Sequence, residues 1–471
     1  MNAGIVCQMT KRATICVIGA GPSGSTFAAR MAQLGHDVYL IERAAFPRSH
    51  LGESLSPGVL PLLEATGARE VVEAAGFLRV QKVMVSWGAA PQIREDAREQ
   101  GLLVDRGRFD QLLLARAQAL GVNVLQPAHV VHRELNPQGW TITIDHAGLR
   151  QNVHADFLAD ARGRSGGRKQ RHGPATLALY GYWRGRNLPA QPRIEAGRDC
   201  WYWGVPLPDG SYNTLVFVDA KTFRRSGTLE TRFHELLARS SLMTGCHAGL
   251  AGPVLATDAT PCLASEIITS KCIALGDAAL ALDPISSSGV QKAIQSALAG
   301  AVVVNTLLRK PASQAAAMQF YQSSMKEASD RHRRWAGSHY ATAALRWESD
   351  FWRYRAAPAE PDVPALPVDA QYLTTRSVVL SPDLVIADLP CIEGDFVVVK
   401  KALRHPRLET PLAYLNGHEL APLMLRLPPH ATPLQIAKSW NHLPLKSALS
   451  IAIWLLGNGI LVERSRILCA S

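Results

Sequence analysis

The 471-residue chain is too long for one hydrophobic core and comfortable for two or three. With 47% hydrophobic and 19% charged residues it can bury ample apolar surface, which excludes a disordered chain. Fifty Lys and Arg against 39 Asp and Glu give a net charge of +11, which asks for an acidic partner: nucleic acid, an anionic membrane, an acidic protein or an anionic cofactor. The eight cysteines, Cys7, Cys16, Cys200, Cys246, Cys262, Cys272, Cys391 and Cys469, contain no C-x-x-C spacing, so reduced thiols in a cytoplasmic protein are expected and no metal site. The apolar run Ser447 to Val462 is broken by Gly457 and Gly459 and falls short of the roughly 20 residues a span needs. Neither export nor a membrane span is expected.

In chain order, Ala13 to Ile18 reads as a buried strand, Gly19-Ala20-Gly21-Pro22-Ser23-Gly24 follows at once, and a helix to Leu34 leads to a second strand, Asp37 to Ile41. In such a βαβ unit Gly19 makes the tight turn, Gly21 lets the backbone approach a pyrophosphate, and Gly24 lets helix and strand pack closely. Glu42 closes the second strand, where an acid can hold ribose hydroxyls. Short strands are expected between Val80 and Val104, then a helix from Phe109 to Leu120 closed by Gly121. Strands Ala128 to His132 and Trp140 to Ile144 flank the turn Asn136-Pro137-Gln138-Gly139, and Phe157 to Ala159 runs into Asp160 and Arg162-Gly163. Thr176 to Val218 reads as β-rich and aromatic, Ile273 to Asp277 as strand then turn, and Gly289 to Leu308 as a long helix. Ala356 to Leu366, with Pro358, Pro361, Pro364 and Pro367 nearby, reads as a linker.

The βαβ glycines with Glu42, the Arg162-Gly163 turn behind Asp160, and Gly276-Asp277-Ala278 with Pro284 and Gly289 together resemble the p-hydroxybenzoate-hydroxylase-like FAD monooxygenases. The finer spelling is similar to the flavin-dependent halogenase branch: Phe46 to Leu55, Val104-Asp105-Arg106 with Phe109-Asp110, and Asp283-Pro284 with Ser288-Gly289-Val290. The resemblance covers roughly residues 13–340. It implies an α/β fold: a Rossmann-like FAD-binding domain over 1–80, 103–175 and 265–355, an inserted β-rich substrate domain over 81–102 and 176–264, and a small α+β C-terminal domain over 356–471. It also implies FAD held by Gly19, Gly21, Pro22, Ser23, Gly24, Glu42, Arg43, Arg48, Arg106, Val130, Asp160, Gly276, Asp277, Pro284, Gly289 and Val290. Asp277 would accept from the ribityl hydroxyls, and the helix starting near Gly289 would turn its positive end to the flavin ring. Surface arginines are the plainer alternative for Arg48 and Arg106.

Halogenases of this branch carry a lysine between a phenylalanine and a Trp-Gly; here that frame is Phe77 to Trp87-Gly88 and the lysine's place falls on Val80. Lys82 is two positions further, on the same strand face but roughly 6 to 7 Å along it. The branch's W-x-W-x-I-P signature stands as Trp201-Tyr202-Trp203-Gly204-Val205-Pro206. One signature is kept and the other broken, so oxygen transfer through a flavin C4a-hydroperoxide is expected over halogenation. His50, Glu53, Lys82 and Asp283 are the candidates for acid–base work on the ring proton. Each has a structural alternative: Glu53 as cap of a helix near Ser56-Pro57, Asp283 as cap of the turn before Pro284, Lys82 as a strand-edge charge.

Within the branch, the overall organisation resembles the peptidyl tryptophan dihydroxylases of cysteine tryptophylquinone biogenesis, which implies a tryptophan within a protein as substrate and a radical S-adenosylmethionine enzyme as possible partner. The alternatives are a halogenase of tryptophan, pyrrole or phenol, and a non-catalytic flavin-bearing maturation factor. The reductant is either NAD(P)H or a separate flavin reductase, since no second G-x-G-x-x-G is visible.

Met325 to Arg355 interleaves basic and aromatic residues, but Tyr340, Trp347, Phe351 and Tyr354 fall on one helical stripe, so core packing is expected over nucleic-acid stacking. Leu420 to Val462, with helical stretches, the Asn458-Gly459 turn and a final strand, is somewhat like a winged helix. Residues 150–200 carry net +6 and 323–355 net +3, while the chain from Ala356 onward is neutral, so the excess charge is expected as a face for an acidic protein or peptide substrate rather than for nucleic acid or membrane.

Overall fold

The computed structural model describes residues 10–95, 101–223, 227–243, 249–357, 370–408 and 410–463. The expected proline-rich linker from Pro358 on, and Cys7, Cys246 and Cys469, lie outside the described residues. Contacts divide the chain into two compact units, residues 1–301 with 329–360, and residues 302–328 with 361–471. The second unit thus takes in residues 302–328, which the sequence grouped with the flavin-binding part.

In the first unit, strand β1 (Thr10–Ile18) pairs in parallel with β2 (Val38–Ile41) on one side and with Leu149–Asp160 on the other. Asn123–Leu125 extends the sheet beyond β2, and Cys272–Ala274 joins the end of Leu149–Asp160. The antiparallel strands Ala128–Asn136 and Gly139–His146 continue it at the far edge. Helix α1 (Pro22–Gln33) crosses from β1 to β2 and buries Phe27, Ala28 and Met31. Parallel strands followed by tight glycine turns put the phosphate-type loops at their C-terminal ends. The helix expected from Phe109 begins three residues earlier, at Arg106, because the Asp105 side chain caps it by accepting from the Arg108 amide at 2.8 Å.

A second seven-stranded sheet runs in the order 255–258, 176–183, 212–219, 200–206, 193–196, 82–86, 92–95. One face packs on helix Leu229–Leu237 through Trp183, Tyr202, Tyr212 and Phe233. Strand alternation therefore turns the intervening side chains to the other face. There the register stacks three rows across the sheet: Tyr182–Asn213–Val205, Tyr180–Leu215–Trp203, and Ala178–Phe217–Trp201. Helix Gln314–Ala344 sends Ala336, Tyr340 and Ala343 into the same cluster as Trp201, Phe217, Phe351 and Trp352. The helical stripe expected to run to Tyr354 breaks between Ala344 and Asp350, and Tyr354 is exposed, while Tyr340 and Phe351 are buried and Trp347 is half-buried.

In the second unit a hairpin of Val385–Glu393 and Phe396–Arg404 is held to residues 302–328 by Asn305, which donates to Asp395 O at 2.8 Å, and by Thr306 Oγ1, which accepts from Val397 N at 2.9 Å. Helices Leu420–Met424, Pro433–Ser439 and Leu445–Gly457 pack around Trp440, Ile451 and Leu455. Strand Leu461–Glu463 returns to pair with Val378–Leu380. The helices and last strand expected from Leu420 on are present, with the long hairpin standing before them in the chain rather than after, where a winged helix carries its wing.

Candidate active site

The glycine loop after β1 has the form a pyrophosphate needs. Gly19 lies at φ +101°, and a Cβ there would stand 2.5 Å from Ala161 O. At Gly24 an added Cβ would meet Gly19 O at 1.8 Å, so the helix start packs directly on the turn. Helix α1 begins with Pro22, has no side-chain cap, and so leaves its first amides, including those of Ser23 and Gly24, for an anion. Gly276, at φ +56°, closes against Ser23, where an added Cβ would come within 2.6 Å of Ser23 Oγ. The Arg48 guanidinium stands 3.6 Å from the Cβ position of Gly21, pairs with Asp110 at 3.3 Å, and has a buried Nε without a partner. Those residues fit a dinucleotide.

Other expected cofactor residues are engaged differently. Glu42 accepts from Ala20 N at 2.8 Å and Ala44 N at 2.9 Å, so its carboxylate first fixes the loop, with lone pairs left over for a hydroxyl. Arg106 donates to Asp110 at 3.0 and 3.2 Å and to Leu51 O at 2.8 Å, fastening the 51–52 loop to the helix. Asp160 is likewise occupied, by Arg162 at 2.6 Å and Arg133 at 3.5 Å. Burial opposes its charge, but the Arg162 guanidinium outweighs that and holds the carboxyl below the usual range. Asp277 is half-exposed, 3.7 Å from Arg164, and Val130 packs beside Cys16 and Ile18. Arg43 is exposed at the end of β2, Pro284 opens a short 3₁₀ turn, and Gly289 and Val290 begin the long helix to Arg309.

The four acid–base candidates separate sharply. Lys82 is exposed and ion-paired with Glu95 on the neighbouring strand at 2.7 Å, the strand-edge alternative, because the 82–86 and 92–95 pair places both side chains toward solvent. His50 is an exposed loop residue with Nδ1 2.7 Å from Leu51 O. Asp283 is buried; its Oδ1 accepts from Tyr340 OH at 2.7 Å and from Ile285 N at 3.1 Å, which makes it the cap of the turn before Pro284. Glu53 is buried but caps no helix. Its Oε1 accepts from Tyr182 OH at 2.7 Å and Asn213 Nδ2 at 3.0 Å, and its Oε2 from Gly52 N at 2.9 Å. Burial raises the pKa of both carboxyls, against the pull of these donors.

Glu53 thus reaches from a flavin-side loop to the Tyr182–Asn213 row of the sheet, while Tyr340 joins the row of Trp201 and Phe217. The two rows are four residues apart along strand 200–206, roughly 13 Å. Between them lie Tyr180 and Trp203, half-buried, with Trp87, Leu51 and Ile285 half-buried nearby. Tyr182, Asn213 and Tyr340 were not singled out as site residues from the sequence. The available signal was two adjacent polar residues, Asn213 and Thr214, ahead of the apolar run Leu215 to Val218. The second unit has a cavity of about 340 Å³ lined by Lys400, Glu419 and Leu425 among others; no sequence-predicted site residue lines it.

A glycine loop shaped for pyrophosphate, in one compact unit with an aromatic-faced sheet, fits an FAD-dependent oxidoreductase. Residues 77–377 match the tryptophan halogenase family, and residues 17–54 match an NAD(P)-binding Rossmann-like domain. Tryptophan 2-halogenase of Chondromyces crocatus is 31% identical over 373 residues, 73% of this chain and 71% of that protein. The chain belongs to the tryptophan halogenase family, and its cofactor is FAD. Among solved structures, the peptidyl tryptophan dihydroxylase QhpG, essential for tryptophylquinone cofactor biogenesis, is similar with a TM-score of 0.75 at 28% identity, covering 95% of this chain and 99% of that one. The flavin-dependent halogenase CmlS shares the fold with a TM-score of 0.77 at 21% identity, covering 97% of each chain. Among the described residues no helix is long and apolar enough to cross a membrane, and no cluster of His, Cys, Asp and Glu is placed to hold a metal.

Proposed function

We propose that this enzyme hydroxylates an aromatic ring, and that the ring is a tryptophan carried in a protein or peptide. The choice of oxygen over halogen rests on the family resemblance, by which the place of the halogenase lysine falls on Val80, and on Lys82 pairing with Glu95 at the surface. The tryptophan side chain as substrate draws support from the likeness to QhpG over nearly the whole chain. When bound and reduced, FAD supplies two electrons to O₂, so that one oxygen atom is delivered to a ring carbon and the other leaves as water. The chain's residues do the rest. The Gly19–Gly24 loop, the start of α1 and Arg48 hold the pyrophosphate. Tyr180, Trp203 and Trp87 flank the ring and exclude water. Glu53, buried beside that face, takes the ring proton displaced by oxygen, its raised pKa bringing it toward the range in which a carboxylate both accepts and releases a proton. An acidic segment of the substrate protein fits the excess positive charge of residues 150–200.

A halogenase is the second reading, favoured by the intact Trp201-Tyr202-Trp203 signature and the 31% identity to a tryptophan 2-halogenase. Both are tested by supplying the FAD-loaded, reduced protein with O₂, bromide and a tryptophan-containing peptide, followed by mass spectrometry. Gain of oxygen without bromine is the expected result. Bromine on the indole overturns hydroxylation in favour of the second reading, and an unchanged peptide overturns the assignment to peptidyl tryptophan.

A further inference from the structure

Asn213 is fully buried near the start of strand 212–219, on the sheet face that carries Tyr180 and Trp203 in the next row. Its Nδ2 donates to Glu53 at 3.0 Å, which fixes the orientation of the amide, since a flipped carboxamide would set its oxygen against a carboxylate oxygen. The Oδ1 atom is left buried without a hydrogen-bond partner. An unmatched buried acceptor is costly and calls for a donor that the protein itself does not supply, such as a ligand or an ordered water. The surrounding donors are already committed: Tyr182 OH and Gly52 N also point to Glu53, at 2.7 and 2.9 Å. What the cluster offers to a ring on this face is therefore an acceptor. A phenolic hydroxyl would bring lone pairs that need donors of their own, whereas the ring N–H of an indole or pyrrole only donates.

We infer that Asn213 is a specificity-determining residue whose Oδ1 accepts the ring N–H of the aromatic substrate, selecting N–H heteroaromatics over phenols and N-alkylated rings. The inference rests on the reading of this sheet face as the substrate wall, and is independent of whether oxygen or halogen is transferred. Glu53 acts through Asn213 here as a positioning residue, holding the amide so that the oxygen faces the ring.

The test is equilibrium dialysis of the FAD-loaded protein with 3-methylindole and with 1,3-dimethylindole, which differ only at the ring nitrogen. Loss of one hydrogen bond to a buried acceptor predicts about tenfold weaker binding of the dimethyl compound. In Asn213→Ala, which removes the acceptor and opens space for a methyl group, the ratio falls to about one; in Tyr182→Phe, which leaves Asn213 in place, the tenfold ratio is kept. If Asn213→Ala does not retain FAD, the wild-type ratio and Asn213→Ser decide. Equal wild-type binding of the two indoles, or no binding of either, overturns the inference. Failure of the proposed function appears elsewhere, in the mass of the peptide product, so the two can fail separately.

Discussion

Glu53 and Asp283 begin alike and end differently. Each comes from a loop of the flavin-binding part, is buried, has a pKa raised by burial, and accepts from a tyrosine at 2.7 Å. Asp283 gives its remaining capacity to its own turn through Ile285 N, and its tyrosine is buried among Trp201, Trp352 and Phe351. Glu53 is instead held by two side chains from distant strands, beside half-buried tyrosines and the unmatched oxygen of Asn213. The same carboxylate–tyrosine pair is completed by its own turn in one place and by side chains of distant strands in the other. Hydrogen-bond geometry alone does not tell the two apart.

The comparison is broken or sharpened by substitution. Glu53→Gln keeps the shape of the side chain but removes the base, and is expected to lower turnover by roughly a hundredfold or more with FAD absorbance unchanged; steady-state rates on a tryptophan peptide read this, and a loss under threefold would remove Glu53 from the chemistry. Asp283→Ala leaves Tyr340 OH and Ile285 N without their acceptor, and should cost about 3 kcal/mol in urea unfolding, with any activity loss following the folded fraction. Tyr340→Phe, which deletes one buried donor, should cost about 1 kcal/mol.

Titration gives a smaller effect. Because both carboxyls have raised pKa values, the native state keeps protons that the unfolded chain releases near the ordinary 4.5 and 3.8. Their contribution to stability is full below those values and is lost as pH rises through the raised ones. Denaturation midpoints followed upward in pH from the ordinary 4.5 should therefore fall less steeply in Glu53→Gln than in the wild type, and parallel curves would refute the shift. Lys82→Ala should change stability by no more than about 0.5 kcal/mol and leave turnover alone, since its partner is a surface glutamate.

Much of the nucleotide-binding part was legible in the sequence because its constraints are local. Gly19 needs positive φ and Gly24 tolerates no Cβ, and both follow from a short motif between a strand and a helix. The substrate face was not legible in the same way. Glu53 meets Tyr182 and Asn213 across 129 and 160 residues, and nothing near any of the three announces the other two. Charge was only partly informative. Of the basic residues in 323–355, Arg355 is buried with Asp219 at 3.5 Å, and Arg333 and Arg353 pair with acids on their own helices, so this stretch adds less to a surface field than its net charge suggested. The partners of Arg106 were not legible either, since Leu51 O lies 55 residues away in the chain.

Trp87 donates to His339 O at 2.8 Å, and Gly88, at φ +72°, lies so close to the helix that a Cβ would come within 2.6 Å of Thr342 O. These contacts pin the end of strand 82–86, so the strand cannot slide by two residues to bring Lys82 to the place of Val80 without tearing Trp87-Gly88 from the helix. An ancestor or descendant with a lysine at that place differs by a codon and not by an alignment shift. A lysine there has to come from replacing Val80 itself.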